Sequence, residues 1–508
     1  MLKSISLENY KCFKDKTDIE IAPLTVLCGV NSSGKSSILK SLLMLKQTAD
    51  DNSMSGSIAL SGSLVDCGTF KDVVCDSDET TNDVFTLRQK FEIHNHLLNK
   101  TGKFIKKQDA KDFNELRRIY SSTPGNITKF VFETEIVIVP NGDDVNEFSK
   151  YISNNIIKSY IIKISAYDQE KQIDQCTGKI SFSLNNSKKA DDEKPHCLSW
   201  ENIPGFAKSA KDFNKFLCVC SFNGLNLSNV FSYRMKNSVK STLPNLLAIF
   251  RIVASQYNGI FHIAPLRNMP QRTYFLQGNV NSVGASGENT YALLAKLKNV
   301  KVTTDVWCPY TNEKEVDEYG YVKASYYEII QQWLDYFEMG ELEVDGGDNQ
   351  SVSVKLGKHN IADIGFGMSQ FLPIITQGIF MNKDQTLLIE QPEIHLHPKM
   401  ELQMADFLIQ LAERGRNIVV ETHSEYIKDR IVHRVFEDDS RELYKLINIC
   451  FIEKDKKDGY SKITPINLND EEGILNHPTD FFDQGANEQL AIMKAGVAKR
   501  RKIRDKIL

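Results

Sequence analysis

The sequence predicts an α/β protein whose mixed sheet is assembled from two distant parts of the chain. A glycine-rich segment, residues 29–36, lies between an apolar run at 24–27 and a stretch of helical periodicity at 37–45. Strand-like and helix-like patterns alternate again in residues 360–460. The long region between them, residues 76–359, has a different texture, so we predict that it is an insertion that splits the α/β core.

The N-terminal part of the predicted core covers residues 1–75. Residues 2–10 alternate between apolar and polar side chains as a half-buried strand does, and residues 19–21 are strand-like as well. We expect both to continue, through the strand at 24–27, into one sheet that ends at the glycine-rich segment. The helix at 37–45 follows directly.

The insertion is predicted to have a β-rich part followed by a helical part. In the β-rich part, polar runs such as 185–194 separate apolar runs and are expected to be exposed loops. No heptad pattern is sustained, which argues against a coiled-coil arm. The predicted elements are strands at 135–139, 160–164 and 260–263 and helices at 243–257 and 326–337.

The C-terminal part of the core, residues 360–460, is predicted to contain buried strands on either side of a helix. The strands are expected at 386–389 and 417–420, and the helix at 399–413. Residues 461–508 then form a C-terminal segment with a basic tail. This tail is either a solvated terminal helix or a nucleic-acid contact.

Composition places the chain among ordinary globular proteins. Its 508 residues, 41% of them hydrophobic and 25% charged, suffice for roughly two or three domains, and the net charge of −4 does not indicate a nucleic-acid binder. The N-terminus has no signal-peptide pattern, and no apolar run approaches the roughly 20 residues of a membrane span. We therefore expect a cytoplasmic protein with no membrane partner. Ten cysteines without a CxxC pair predict reduced thiols rather than a zinc site.

The glycine-rich segment fits the phosphate-binding pattern GxxxxGK[ST] in the strand and helix context that this pattern requires. Backbone N–H groups of such a loop surround phosphate oxygens, Lys35 can reach the β- and γ-phosphates, and the Ser36 hydroxyl can bind Mg²⁺. A plain glycine-rich turn is the alternative. The predicted nucleotide-binding residues here are Gly29, Asn31, Ser32, Ser33, Gly34, Lys35, Ser36 and Ser37.

Polar residues at the ends of the two C-terminal strands can complete such a site. Glu390 ends the first strand and is expected to face the phosphate-binding loop and to hold Mg²⁺, while His423 follows the second strand and can touch a γ-phosphate. Glycines that precede a helix in residues 363–373 offer a second anion-binding helix N-terminus. Each feature alone has an ordinary explanation, namely a surface carboxylate, a structural histidine and a helix cap.

The order of these features resembles the ABC-type ATPases of the SMC and OLD group. The resemblance covers residues 1–75 and about 360–430, and it implies an ABC/SMC-head-like P-loop ATPase domain with a mixed sheet. Further segments resemble a subgroup of small prokaryotic ATPases, many of which are encoded in antiphage loci such as Septu. The segments that carry the resemblance are 29–37, 65–72, 265–272, 389–398, 421–424 and 481–484.

The resemblance implies a role for each candidate site residue. Lys35 and Ser36 take the Walker A roles, Glu390 the Walker B magnesium role and His423 the switch-histidine role. Lys11 and Phe13 resemble contacts near adenine and ribose, although an aromatic residue at a strand end is as often part of the core. The signature segment, which in such ATPases caps the γ-phosphate held by another subunit, corresponds to Gly365, Gly367, Ser369 and Gln370.

The same resemblance implies ATP and Mg²⁺ as cofactors and an ATP-dependent head-to-head dimer or higher homo-oligomer. In the Septu-like subgroup the ATPase works with a separate HNH nuclease, so an effector protein of this kind is the expected partner. OLD nucleases carry a Toprim domain after the switch histidine. Here residues 451–455 begin like a Toprim strand but lack its glycine and second acid, so we expect no nuclease activity in this chain.

Two positions depart from the family pattern. A serine usually occupies the place of Gly365, so the γ-phosphate cap would depend on backbone N–H groups or on Ser369. The residue after the Walker B acid is usually a glutamate that polarises the attacking water, and here it is Gln391, which can orient water but cannot accept its proton. Either Glu393 or solvent compensates, or turnover is slow and the chain acts as a switch. We favour slow turnover.

Other functions stay open as alternatives. A DNA-binding SMC-like repair ATPase would use the same ATP chemistry, and Gln391 is compatible with a non-hydrolysing ATP-binding scaffold. A transporter subunit is disfavoured because its phosphate-binding loop and signature lie close together in sequence, whereas residues 37–364 separate them here. Nucleotide kinases and GTPases are disfavoured too, because they would need a base-reading motif or an arginine-rich lid, and neither is evident in the sequence. Arg267 and Arg272 either face nucleic acid or a partner subunit, or belong to a loop that closes against the core.

Overall fold

The computed structural model describes most of the chain. The described residues are 1–51, 56–75, 83–94, 107–121, 123, 126–140, 155–168, 171–184, 196–204, 206, 216–231, 237–275, 280–310, 321–346, 351–365, 367–479, 481–482 and 484–507. The predicted loop at 185–194, Phe366 in the predicted signature segment and Asp483 in the segment 481–484 lie outside these ranges.

The regular elements of the described residues are numbered in chain order. The strands are β1 (Leu2–Glu8), β2 (Thr17–Glu20), β3 (Leu24–Gly29), β4 (Phe85–His94), β5 (Lys129–Pro140), β6 (Asn155–Asp168), β7 (Lys171–Leu184), β8 (His196–Glu201), β9 (Phe216–Asn223), β10 (Asn226–Phe231), β11 (Ile260–Ile263), β12 (Tyr274–Phe275), β13 (Lys301–Thr304), β14 (Val322–Ser325), β15 (Leu342–Gly346), β16 (Ser351–Leu356), β17 (His359–Asn360), β18 (Thr386–Glu390), β19 (Asn417–Glu421), β20 (Ile447–Lys454), β21 (Ser461–Ile466), β22 (Leu468–Asn469) and β23 (Gly473–Ile474). The helices are α1 (Lys35–Asp50), α2 (Phe70–Val73), α3 (Lys107–Ile119), α4 (Asn237–Asn258), α5 (Thr290–Leu297), α6 (Tyr326–Tyr336), α7 (Gly367–Phe380), α8 (Pro398–Glu413), α9 (Glu425–Glu437) and α10 (Gln484–Ile507).

A six-stranded mixed sheet, in the order β11-β18-β19-β3-β20-β21, combines the two distant parts of the chain. Strands β11, β18, β19, β3 and β20 are parallel, and β21 is antiparallel to β20. Because parallel strands end at the same edge of a sheet, the segments that follow β3, β18 and β19 meet there. The predicted site residues of both halves therefore come from one sheet edge.

A second, nine-stranded antiparallel sheet has the order β10-β9-β8-β7-β6-β5-β4-β1-β2. Strands β4 to β10 come from the region predicted to be an insertion, and β4 pairs directly with β1. The expectation that β1 and β2 continue into the same sheet as β3 is wrong. In β2 only Ile19 is buried, whereas five of the six residues of β3 are buried, so β3 belongs between two helical layers and β2 to a sheet edge.

The six-stranded sheet separates two hydrophobic cores. On one face, α1 and α4 pack between this sheet and the antiparallel sheet; on the other face lie α5 to α9. The alternation of side chains along β3 assigns Leu27 to the first core and Val26 and Cys28 to the second. In this four-layer arrangement β3 lies between two helical layers and α1 lies between two sheets.

The predicted elements agree well with those observed, while the predicted domain boundaries stay predictions. The predicted helices at 37–45, 243–257 and 399–413 lie within α1, α4 and α8, and the predicted strand at 260–263 coincides with β11. The basic tail belongs to α10, on which Leu490, Ile492 and Met493 are exposed. In the described part of the chain, none of the helices combines the length and apolarity that a membrane span needs.

Candidate nucleotide-binding site

The phosphate-binding loop connects β3 to α1, and two glycines make its path possible. Gly29 has φ +141°, and a Cβ atom there would lie 2.0 Å from the carbonyl oxygen of Ile452 on β20. Gly34 has φ +106°, and a Cβ atom there would lie 2.4 Å from Cys12 Sγ. A side chain at either position would collide with its neighbours, so the loop requires glycine at both.

Lys35 is the first residue of α1, and only 3% of it is exposed. Its Nζ donates hydrogen bonds to the carbonyl oxygens of Gly29, at 3.0 Å, and Val30, at 2.8 Å. Burial lowers the pKa of Lys35 from its usual value, and the negative charge of Glu421 acts in the opposite direction. The ammonium group is therefore held inside the loop, where a phosphate would bind.

A cavity of about 660 Å³ lies against the loop and is of the size that small-molecule sites have. It brings together residues from the start of the chain, from the loop and from the ends of β18 and β19. Predicted site residues in its lining are Lys11, Asn31, Ser32, Ser33, Gly34, Lys35, Ser36, Ser37, Gln391 and His423. Lining residues that sequence reasoning missed are Cys12, Asp72, Val74, Cys75 and Glu421.

Lys11 and Phe13, both expected near adenine and ribose, occupy different environments. Lys11 lines the cavity, and its Nζ donates to the carbonyl oxygen of Cys67 at 2.8 Å. Phe13 is fully buried, and its ring lies beneath Gly34, where a Cβ atom would be 3.1 Å from Phe13 Cζ. Phe13 thus supports the phosphate-binding loop from the core side.

The Ser36 hydroxyl contacts a carboxylate that sequence reasoning did not single out. Ser36 Oγ donates to Glu421 Oε1 at 2.9 Å, and Glu421 ends β19, the direct neighbour of β3. Burial raises the pKa of Glu421, while the Ser36 hydrogen bond opposes this shift. Together the hydroxyl and the carboxylate supply hard oxygen donors, which fit Mg²⁺. The available signal was that Glu421, like Glu390, directly follows a buried apolar strand.

Glu390 ends β18, which is separated from β3 by β19. Its Oε1 lies 2.8 Å from Nε2 of His262 on β11, and its carbonyl oxygen accepts from Arg267 Nη2 at 2.8 Å. The Glu390 carboxylate therefore contacts the strand on the far side of β18. Its predicted magnesium role stays a prediction.

Gln391 and Glu393 follow Glu390 in a turn that reaches toward β19. Gln391 has φ +47°, and its backbone N–H donates to the carbonyl oxygen of Glu421 at 2.7 Å. Glu393 Oε1 accepts from the backbone N–H of His423 at 2.7 Å, and Oε2 accepts from Thr422 Oγ1 at 2.8 Å. Both carboxylate oxygens of Glu393 are thus engaged in fixing the segment that carries His423.

His423 lies at the cavity with its side chain near Lys35. Partial burial and the charge of Lys35 both lower the pKa of His423. At neutral pH the ring is therefore uncharged and has one donor and one acceptor nitrogen. Such a ring can hydrogen-bond a phosphate oxygen without adding a positive charge.

The predicted signature segment lies at the start of α7 and does not line this cavity. Ser369 and Gln370 are buried, and Gln370 forms hydrogen bonds with the backbone of Arg267. Gly367 is packed closely, since a Cβ atom there would lie 2.7 Å from the carbonyl oxygen of His395. Gly365 is exposed, and among the described residues no atom beyond its neighbours in the chain lies within 4 Å of a Cβ built on it.

The two arginines of the segment 265–272 behave differently. Arg267 is 4% exposed and bonded to Glu390, which agrees with the interpretation of a loop that closes against the core. Burial lowers its pKa to about 10. Arg272 is exposed and forms an ion pair with Asp363.

A search of protein-family models gives a match over most of the chain. The model described as AAA ATPase domain matches residues 1–250 and 295–427. The chain belongs to this family. Together with the phosphate-binding loop on the six-stranded sheet, this membership confirms the predicted α/β P-loop ATPase fold with a mixed sheet. No curated protein matches this AAA ATPase domain protein.

Solved structures that resemble this chain include SMC head domains. One is a crystal structure of an SmcHead bound to the C-winged helix domain of ScpA, with 11% identity and a TM-score of 0.39 over 92% of this chain and 98% of that one. An SMC head domain from Thermotoga maritima has 9% identity and a TM-score of 0.32 over 92% and 99%. An Smc head derived from Pyrococcus furiosus, bound to the C-terminal domain of ScpA, has 10% identity and a TM-score of 0.37 over 92% and 96%. No function follows from likeness at this level.

Proposed function

We propose that this AAA ATPase domain protein binds ATP with Mg²⁺ and hydrolyses it slowly, so that its nucleotide state acts as a switch. The observation that carries the proposal is the cavity in which the phosphate-binding loop meets Gln391 and His423. No other described part of the chain combines a buried lysine, a helix N-terminus and strand-end polar groups in this way. These are the groups that hold and orient a triphosphate.

Each residue contributes one step to the proposed reaction. The loop N–H groups and Lys35 bind the β- and γ-phosphates, and His423 offers a neutral ring to the γ-phosphate. Gln391, whose backbone is tied to β19, orients the attacking water through its amide. Mg²⁺, when bound, neutralises charge on the phosphates. Because an amide cannot accept the proton of the water and Glu393 is already engaged, proton removal is slow.

We further propose that ATP joins two copies of the chain head to head. Gly365 is exposed at the approach to α7 and does not line the cavity of its own chain. Backbone N–H groups at that helix start are suited to a γ-phosphate bound by a second copy. This arrangement would make assembly depend on nucleotide.

The proposed output is control of a partner effector, such as an HNH nuclease, in prokaryotic antiphage defence. This step is supported by the sequence resemblance of the segments 65–72, 265–272 and 481–484 to Septu-like ATPases. A cytoplasmic location and an optional nucleic-acid contact through the basic α10 belong to the same proposal.

The test is ATP hydrolysis by wild type, Lys35→Ala and Gln391→Glu, with molar mass from light scattering in the ATP and ADP states. We expect slow wild-type turnover, loss of activity in Lys35→Ala, and a roughly 10²-fold gain in Gln391→Glu, the range in which a general base contributes. Lys90→Ala on β4, remote from the loop, serves as the matched lysine control.

Other outcomes would redirect the proposal. Brisk wild-type turnover that Gln391→Glu leaves unchanged would contradict the switch and favour a cycling motor with another base. ATP binding without turnover in either form would favour a scaffold. An unchanged molar mass in every nucleotide state would contradict the dimer.

A further inference from the structure

The carboxylate of Glu421 is placed differently from every other acid at this sheet edge. It belongs to β19, whose pairing with β3 sets Glu421 beside Leu27, two residues before the start of the phosphate-binding loop. Its Oε1 accepts from Ser36 Oγ at 2.9 Å. Only 4% of Glu421 is exposed, and its Oε2 has no hydrogen-bond partner among the residues that the structure describes. A buried carboxylate oxygen without a partner is costly unless a ligand completes it.

Glu390 provides the comparison, because it is the residue in the expected Walker B position. It pairs with Glu421 across the β18 and β19 register, so it lies one strand farther from the phosphate-binding loop. Its Oε1 contacts His262, and the loop at Arg267 is bonded to its carbonyl oxygen. Of the two strand-end acids, Glu421 is therefore the one that contacts Ser36, the serine of the loop that is expected to bind Mg²⁺.

We infer that Glu421, together with Ser36, binds the magnesium ion of the nucleotide complex. This inference rests on the proposed nucleotide site. Neighbouring oxygen ligands of an octahedral Mg²⁺ are roughly 2.9 Å apart when each Mg–O distance is about 2.05 Å, and Ser36 Oγ and Glu421 Oε1 are 2.9 Å apart. The two oxygens can thus act as adjacent ligands after the serine hydroxyl turns its proton away, with no shift of either strand.

The small number of protein ligands is compatible with magnesium. Within the described ranges there is no cluster of three or more His, Cys, Asp or Glu side chains arranged for a metal ion. Mg²⁺ in phosphate-transfer sites characteristically takes one or two protein oxygens and completes its shell with phosphate oxygens and water. Ser36 and Glu421 supply that number, and Glu390 is left to hold β11 through His262.

Mn²⁺ is the probe for the test, because it replaces Mg²⁺ at oxygen sites and its binding is measured by electron paramagnetic resonance without turnover. Titrations use the full chain with ADP in wild type, Glu421→Gln, Glu390→Gln and Ser36→Ala. Glu421→Gln is expected to weaken Mn²⁺ binding by at least about tenfold, as loss of metal-site groups does. Glu390→Gln, the comparison at the expected Walker B position, is expected to weaken Mn²⁺ binding clearly less than Glu421→Gln does, and Glu488→Gln, at an exposed position of α10, is the control that should bind as wild type does.

The outcomes separate this inference from the proposed function. If Glu421→Gln binds Mn²⁺ like wild type, or if Glu390→Gln weakens binding equally, Glu421 is not the specific ligand and the inference is overturned. Affinity for ADP in EDTA, with Lys35→Ala as its negative control, reports the nucleotide site independently. If wild type fails to bind ADP at all, the proposed function fails instead. Should Glu421→Gln not fold, Glu421→Asp answers the same question, because a shorter carboxylate must still weaken Mn²⁺ binding.

Discussion

The two large sheets of this protein contain the same feature, a buried polar atom without a partner, in two different settings. In the six-stranded sheet one such atom is Glu421 Oε2, at a strand end beside the phosphate-binding loop. In the nine-stranded sheet one such atom is the hydroxyl of Tyr160, a fully buried residue of β6 whose ring packs edge-on against Phe250. Parallel strands bring their ends to one edge, where a ligand can supply the missing partner. Such an atom therefore indicates a binding site only where the fold gives a ligand access.

Gly29 lies where β3 leads into the phosphate-binding loop at the edge of the parallel sheet. We expect its substitution to have the largest effect on the free energy of unfolding. Gly29→Ala would drive a Cβ atom into the carbonyl of Ile452 at a φ that side chains rarely adopt. We expect a loss of about 2–4 kcal/mol in the free energy of unfolding, from strain and overpacking combined. Urea denaturation measures it.

Gly365→Ala is the matched control for this loss, since space around that residue is open. Its unfolding free energy is expected to stay within about 0.5 kcal/mol of wild type. If both variants lost the same free energy of unfolding, the backbone at Gly29 would be no more constrained than an open position. The sheet edge would then not differ in this respect from the rest of the molecule.

At the same edge of the six-stranded sheet, the ionisation of Glu393 makes the stability of the folded protein depend on pH. Burial raises the pKa of Glu393, whereas in the unfolded chain it titrates near about 4.3. The folded state therefore keeps the proton over a range in which the unfolded state has released it, so stability falls as pH rises through this window. In Glu393→Gln this contribution is absent, and the stability of that variant relative to wild type should increase with pH.

Urea denaturation of wild type and Glu393→Gln from about pH 4 to about pH 8, a range that brackets the raised pKa of Glu393, measures the direction of this change in stability. Glu488→Gln, at an exposed position of α10, is the control. A stability difference that is flat with pH, or that decreases, would show that the hydrogen bonds from His423 and Thr422 outweigh burial.

Local sequence patterns predict the strands, helices and loop that form the site, but they do not predict which of these elements lie next to one another. The phosphate-binding loop, β18, β19 and α8 follow from short patterns, because strand, glycine and helix signals lie within a few residues of one another. Glu390 and Glu421 end equally apolar strands, and only the sheet order, with β19 between β18 and β3, distinguishes which acid reaches Ser36. That order is set by packing between residues hundreds of positions apart in the chain. The placement of β1 and β2 in the other sheet has the same origin.

Tyr160 gives the smallest expected effect and the most direct test of the comparison. Burial raises the pKa of Tyr160 well above its usual value, and its hydroxyl gains no compensating hydrogen bond from the described residues. Tyr160→Phe should therefore leave the free energy of unfolding unchanged or raise it by up to about 1 kcal/mol. Tyr257→Phe, by contrast, removes a 2.9 Å hydrogen bond to Gln89 Oε1 in the same core and should cost about 1 kcal/mol. Urea denaturation of both variants, with ADP affinity as a second readout that neither should change, makes the comparison. If Tyr160→Phe proved the more destabilising of the two, its hydroxyl would have a partner after all, and an unpartnered buried atom would lose its value as a guide to the site at Glu421.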